Sequence, residues 1–237
     1  MTTLLLKLAG PLQSYGTDSH FETRQTGRYP SKSAVIGMIS ASMGLKRHQD
    51  KEIQALNQLD FAVRVDQPGE ILRDFHTAHA LKKDGKVNRT YVTNRYYLED
   101  AVFVVALSGS ESLMQEVSRA IKSPYFQPFM GRRALPLTSD FFIEEVAEKP
   151  ILALTNLVWQ AAKWYQKKNA NLSKLDIYAD ADLLSNGSSL MTREHVVSFS
   201  QQKRQYGFRP VKHTSIAVRK ENLLQSHDIF SALEGRS

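Results

Sequence analysis

The chain has 237 residues, enough for one large domain or a domain with a smaller companion, and a chain of this size buries roughly 70% of its unfolded surface. Hydrophobic residues make up 42% and charged residues 23%, which excludes a fibrous or intrinsically disordered chain. Thirty-one Lys and Arg against 24 Asp and Glu give a formal charge of +7, which favours polyanions or acidic surfaces as partners. Cysteine is absent, so disulfides, zinc ribbons and thiol catalysis are excluded.

The opening run Leu4-Leu5-Leu6-Lys7-Leu8 is too short and too interrupted for a signal h-region, and no stretch reaches the ~18 apolar residues of a membrane span. A cytoplasmic protein without membrane contact is expected. Residues 3–9 read as a strand apolar on nearly both faces. After Pro30, Val35, Ile36, Ile39 and Met43 fall at helical spacing over 31–44, with proline in its favoured first-turn place. A second short helix is expected over Asp50 to Leu59. Phe61, Val63 and Val65 alternate with Arg64 and Asp66, the pattern of a half-buried strand. Residues 101–107 are apolar on both faces, and an amphipathic helix over 112–122 carries Leu113, Val117 and Ile121 on one side.

In this β-α-β-β-α order the fully apolar strands are the first and third, which are the central strands of a ferredoxin-like βαββαβ sheet. The predicted class is therefore α+β. A fourth strand is expected near 139–145. After Lys149-Pro150 the pattern changes to a helix running through Trp159 and Trp164, then to two or three strands between Asp176 and Val218. A domain over 1–148 and a smaller mixed region over 149–237 are expected.

About thirty residues, 67–99, join the second and third strands, where 2–6 are usual, so an inserted functional element is expected. Arg73, Lys82, Lys83, Lys86, Arg89 and Arg95 oppose Glu70, Asp74, Asp84 and Glu99, with Asp84-Gly85 as the turn. The pattern predicts a basic β-hairpin with Tyr91, Tyr96 and Tyr97 on its returning arm. Cations that neutralise phosphates beside rings that accept stacked bases suit single-stranded RNA; a merely solvated hairpin with packed tyrosines is the alternative.

Thr26 to Ser33 opens the first helix, whose free N–H groups and positive dipole end can hold a phosphate. It lacks the glycines of a nucleotide-binding P-loop, and a plainly capped helix is the alternative. In Pro124 to Pro136, Gly131 permits close backbone approach, and Arg132 and Arg133 can clamp phosphate or pair internally. In the tail, Lys203-Arg204 and Arg209 with Lys212 flank Tyr206 and Phe208, extending the basic surface or blunting an edge strand. Asp74, His76 and His79 hint at a metal site, but without further ligands none is expected, nor any cofactor. His76 with Lys32 or Tyr29 could instead cleave RNA without metal, by base abstraction of a 2′-OH proton. His20, His48, His195, His213 and His227 have no recognisable partners.

Several stretches together resemble the CasD family, the fifth Cas protein of type I-E CRISPR systems. They are Leu8-Ala-Gly-Pro-Leu-Gln-Ser-Tyr-Gly16, Arg24-Gln-Thr-Gly-Arg-Tyr-Pro-Ser-Lys-Ser33, Ile36-Gly37, Phe61-Ala-Val-Arg-Val-Asp66, Asp74-Phe-His-Thr77, Tyr97-Leu98 with Asp100-Ala101, and Met130-Gly-Arg-Arg133. The resemblance implies a RAMP-superfamily ferredoxin-like domain whose inserted hairpin is a thumb. It implies a non-catalytic subunit of the Cascade complex that grips the 5′ handle of crRNA and caps the backbone. Implied neighbours are a Cas7-type backbone subunit and the large PAM-recognising subunit, with target DNA met only through the complex. A separate Cas6-type nuclease would cut the precursor, although in type I-C systems the related subunit cuts, so a metal-independent endoribonuclease is the rival. The matching positions expected to meet RNA are Gln13, Tyr15, Arg24, Arg28, Lys32, Ser33, His76, Arg132 and Arg133. From the hairpin and tail, Lys82, Lys83, Arg89, Arg95, Arg204 and Arg209 join them.

Overall fold

A computed structural model describes residues 2–16 and 22–220; His20 and His227 lie outside them. In chain order the elements are β1 (Thr3–Ala9), β2 (Leu12–Gln13), β3 (Thr23–Arg24), α1 (Lys32–Ser42), α2 (Asp50–Ala55), β4 (Asp60–Gln67), β5 (Glu70–Leu81) and β6 (Val87–Glu99). There follow β7 (Val102–Ser108), α3 (Glu111–Lys122), β8 (Phe142–Val146), α4 (Pro150–Asn156), α5 (Lys163–Lys168), β9 (Lys174–Asp180), β10 (Ser189–Ser198) and β11 (Gln205–Ala217). The expected helix through Trp159 is thus two short helices, with Trp159 in the linker between them.

Seven strands form one sheet in the order β10-β11-β9-β4-β7-β1-β8, with every pairing antiparallel. The continuously apolar segments β1 and β7 are neighbours inside it, and every residue of β7 is buried. One pleat face packs Leu4, Leu6, Phe61, Val63, Phe103 and Val105 against α1 and α3. The opposite face packs Leu5, Ala62, Val104 and Ala106 against Ala153 and Leu154 of α4. β9 pairs with β4 from Ala62 to Val65, so the C-terminal strands continue the same sheet.

That pairing corrects the half-buried reading of β4. Arg64 and Asp66 were expected to face solvent, yet each is 1% exposed. The chain after α4 covers their face: Arg64 donates to the carbonyls of Leu154, Leu157 and Val158 and forms a two-pronged pair with Asp66 at 2.7 and 2.8 Å. Alternation along a strand cannot distinguish a polar residue in water from one buried against carbonyls that satisfy it.

A second sheet is built around β6, in the order β2-β6-β3, with β5 on β6. β5 and β6 pair from Glu70↔Glu99 out to Leu81↔Val87, a long hairpin turned by Lys82 to Lys86. Gly85 takes φ +81° there and Asp84 Oδ1 accepts from Lys86 N, which is why Asp-Gly suits the position.

Candidate nucleic-acid interface

Four chain segments meet at the root of the hairpin. β3 lies parallel to β6 with Arg24 beside Arg95, and Ser14 N donates to Met130 O at 3.2 Å. Gly131 adopts φ +85°, and a Cβ there would fall 1.6 Å from Ser14 O. This glycine therefore lets the chain press on its own backbone, and the contact delivers Arg132. Arg132 Nη2 donates to Arg24 O and Tyr96 O at 3.3 and 3.1 Å, while its guanidinium lies 4.1 Å over the Tyr97 ring. Its bonds go to carbonyls, which leaves its positive charge unneutralised by them.

Two donor atoms of this cluster, Arg95 Nε and Arg132 Nη1, are buried with no protein acceptor. A buried unsatisfied donor costs roughly 1–3 kcal/mol, a cost that no contact within the described residues offsets. Arg24 and the neighbouring Arg133 are exposed there, and Arg28 is exposed on the loop between β3 and α1. Replacing Gly131 by Ala is expected to lower the melting temperature by about 10 °C or more, since it combines a left-handed backbone with a collision against main chain. A thermal melt within about 2 °C of the parent would contradict this account of the loop.

Along the hairpin, Lys82, Lys83 and Lys86 are exposed at the tip, and Arg89 lies 4.8 Å over the Tyr91 ring. Opposed residues share a face of the ribbon. One face carries Asp74, His76, Tyr91, Arg95 and Tyr97; the other carries Ile71, Phe75 and Val92, all exposed. His76 is exposed, whereas His79 points to the opposite face and bonds Thr90 at 2.9 Å. The pleat therefore separates Asp74 and His76 from His79, and among the described residues no group of metal-ligating side chains is gathered.

Five expected ligand-contacting side chains are instead committed inside the protein. Gln13 is buried, donates to Leu8 O and Ala101 O, and accepts from the Tyr15 hydroxyl, itself buried. Ser33 is buried with its hydroxyl 3.2 Å from that of Ser31. Lys32 and Arg209 are buried in an ionic network from distant strands: Lys32 Nζ meets Asp180 at 2.9 Å, and Arg209 meets Asp180 and Glu194 at 2.6 and 2.9 Å.

The same network corrects the phosphate reading of the α1 N-terminus. Lys32 N donates to Glu194 Oε2 at 3.0 Å and Ser31 caps Ala34 N, so a carboxylate from β10 already occupies the positive helix end. Tyr29 stacks on Tyr178 at 4.0 Å; burial first, then Glu194 and Tyr178, pushes its phenol up to about 12. Arg204 lies in the β10–β11 connection beside Tyr206. Burial raises that phenol, and Arg204, Arg193 and Arg47 partly offset the rise.

Sequence reasoning missed the acidic partners Asp180 and Glu194. Their only signal is a carboxylate in each of two strands rich in apolar residues, and nothing local ties either to Lys32.

The family of CRISPR-associated proteins Cas5 matches residues 3–212. The CRISPR system Cascade subunit CasD of Escherichia coli (strain K12) is 36% identical over 169 residues, covering 65% of this chain and 75% of that protein. A solved chain of a CRISPR RNA-guided surveillance complex superposes with TM-score 0.75 at 30% identity, covering 91% of this chain and 90% of that one. A crystal structure of a Cas protein gives TM-score 0.65 at 27% identity, covering 92% and 98%.

Proposed function

The chain belongs to the Cas5 family of CRISPR-associated proteins, in its CasD branch, and on that premise we propose that it is a non-catalytic crRNA-binding subunit of a type I-E Cascade, gripping the 5′ handle and capping the backbone. The observation that carries this reading is the cluster of Arg24, Arg95 and Arg132 at the hairpin root, where the bonds of Arg132 go to carbonyls and leave its charge unneutralised. Phosphate oxygens are the acceptors such a group pairs with most strongly. Tyr97 and Tyr91, on the hairpin face that carries Arg95, supply rings for unstacked bases.

In this reading β1, α1, β4, β7, α3 and β8 form a ferredoxin-like RAMP domain over 1–148, supported by the strand order β4-β7-β1-β8. The β5–β6 hairpin is its thumb, and β9 to β11 of the 149–237 region widen the sheet. The hairpin face that exposes Ile71, Phe75 and Val92 beside Arg73 is the surface offered to a Cas7-type backbone subunit. The large PAM-recognising subunit is the second neighbour, and target DNA is met through the complex. No described helix is long and apolar enough to cross a membrane, in keeping with a cytoplasmic ribonucleoprotein.

The rival, a metal-independent endoribonuclease, would need a mobile cation and a readily ionised partner beside His76. Lys32 is held in an ion pair and Tyr29 is pushed to about 12. Incubated with repeat RNA in EDTA, the purified chain should retain the RNA in a shift assay and leave it intact. Cutting that requires the 2′-OH and vanishes in His76→Ala would replace this proposal with the rival.

A further inference from the structure

Residues 149–175 contain Lys149, Lys163, Lys167, Lys168 and Lys174 and no acidic residue. Within this stretch Trp159 and Trp164, the only two tryptophans of the chain, behave in opposite ways. Trp159 is 4% exposed, donates from Nε1 to Asp66 O at 2.8 Å, and forms a small core with Ala161 and Leu175. Trp164 is 54% exposed. Tyr165 lies edge-on to both indoles, at 6.1 Å from Trp159 and 5.6 Å from Trp164, so the outer ring is braced by the packed one.

Lys167 and Lys168 stand three and four positions after Trp164 on α5, the spacing that makes neighbours on a helix surface. Lys163 precedes it. Lys220 bonds Ala170 O, which brings one more cation to the same end of the sheet, whereas Lys174 alternates with the buried Leu175 and lies on the other pleat face. Lys163, Lys167, Lys168 and Lys220 are exposed. This unit packs on Leu175 and Ile216, on the pleat face opposite the one that carries Tyr15 and Met130, so it is separate from the arginine cluster at the hairpin root.

An exposed indole on a lysine-rich, acid-free segment suits a polyanion with flat faces better than a protein surface. Lysine is depleted from protein–protein interfaces, where its hydration must be removed, whereas base stacking on an aromatic ring beside phosphate neutralisation is the common mode for single strands. We infer that Trp164 with Lys163, Lys167, Lys168 and Lys220 forms a second site, binding single-stranded nucleic acid without sequence preference on the face opposite the handle surface. A displaced DNA strand and an RNA strand present the same chemistry to it.

The test uses the full chain and its intrinsic fluorescence. Adding oligo(dT) or oligo(U) at low salt is expected to quench the indole emission saturably, with the quench lost in W164F because Trp159 is shielded. W164A should weaken binding about tenfold, the size of one lost base stack, and K167E/K168E should lower the salt slope by about 1.4 for two lost phosphate contacts. An R132E/R133E variant should keep the quench, so failure here and failure of the handle assignment are distinguishable. Whichever oligonucleotide binds more tightly identifies the source, and quenching by either supports the site. No quench with either, or a quench unchanged in K167E/K168E, overturns it. In the assembled complex, a nucleotide adduct on the Trp164 peptide after ultraviolet crosslinking supports it. The same peptide without adduct and protected from hydroxyl radicals by a neighbouring subunit overturns it.

Discussion

R132E/R133E should bind handle RNA about a hundredfold more weakly than the parent at low salt, with a flatter dependence on ionic strength. Each lost charge-assisted hydrogen bond is worth about 1.5 kcal/mol or more, and about 1.4 kcal/mol is a factor of ten. Two phosphate contacts removed from a single strand should lower the slope of log K against log salt by about 1.4. Arg132 also braces the carbonyls of Arg24 and Tyr96, so the double variant can lose affinity through a displaced loop. R133E alone separates these causes, because Arg133 is exposed and its reversal leaves the loop intact. A normal melt with a reduced slope assigns the loss to phosphate contact. Unchanged affinity and slope in both variants would remove the arginine cluster from the RNA surface.

D66A should cost about 3–5 kcal/mol, the penalty for leaving a buried charge without its partner, and lower the melting temperature by about 10 °C for a chain of this length. Arg64 would keep its carbonyl contacts to Leu154, Leu157 and Val158 but lose the anion that neutralises it. Asp66 Oδ2 also accepts from Gln160 N at 2.6 Å, so the same change loosens the chain leading into Trp159 and α5. R64M/D66L, which removes both charges, should recover much of the loss, because a dry ion pair gains little over apolar packing. A D66A melt within about 2 °C of the parent, or a double variant less stable than D66A, would contradict this. Burial outweighs the pull of Arg64 and raises the Asp66 carboxyl above its usual 3.8. With the folded value raised, the stability that this group contributes is complete below 3.8 and declines as pH rises through the folded value.

The hairpin was legible because its signals are local: two alternating arms, a surplus of cations and Asp84-Gly85 at the turn. The central positions of β1 and β7 were legible too, since a strand apolar on both faces has to be covered twice. The burial of Gln13, Tyr15, Lys32, Ser33 and Arg209 was not. Each is of a type that can touch RNA, and each is instead buried against partners that local sequence does not announce. Lys32 pairs with Asp180, and Gln13 bonds Ala101 O. A resemblance that preserves a motif does not distinguish residues that touch a ligand from those that hold the touching residues in place.

Composition, periodicity and motif order by themselves determined an α+β chain with a basic inserted hairpin and a CasD-like series of segments. Those properties reside in neighbouring residues and in spacing, which the chain carries before it folds. Only the tertiary structure decided which cations remain available to a polyanion. Arg132 keeps its charge because its partners are carbonyls, whereas Lys32 and Arg209 are neutralised by Asp180 and Glu194. Ion pairing depends on distances of a few ångströms between residues far apart in sequence, and those distances exist only once the sheet has closed.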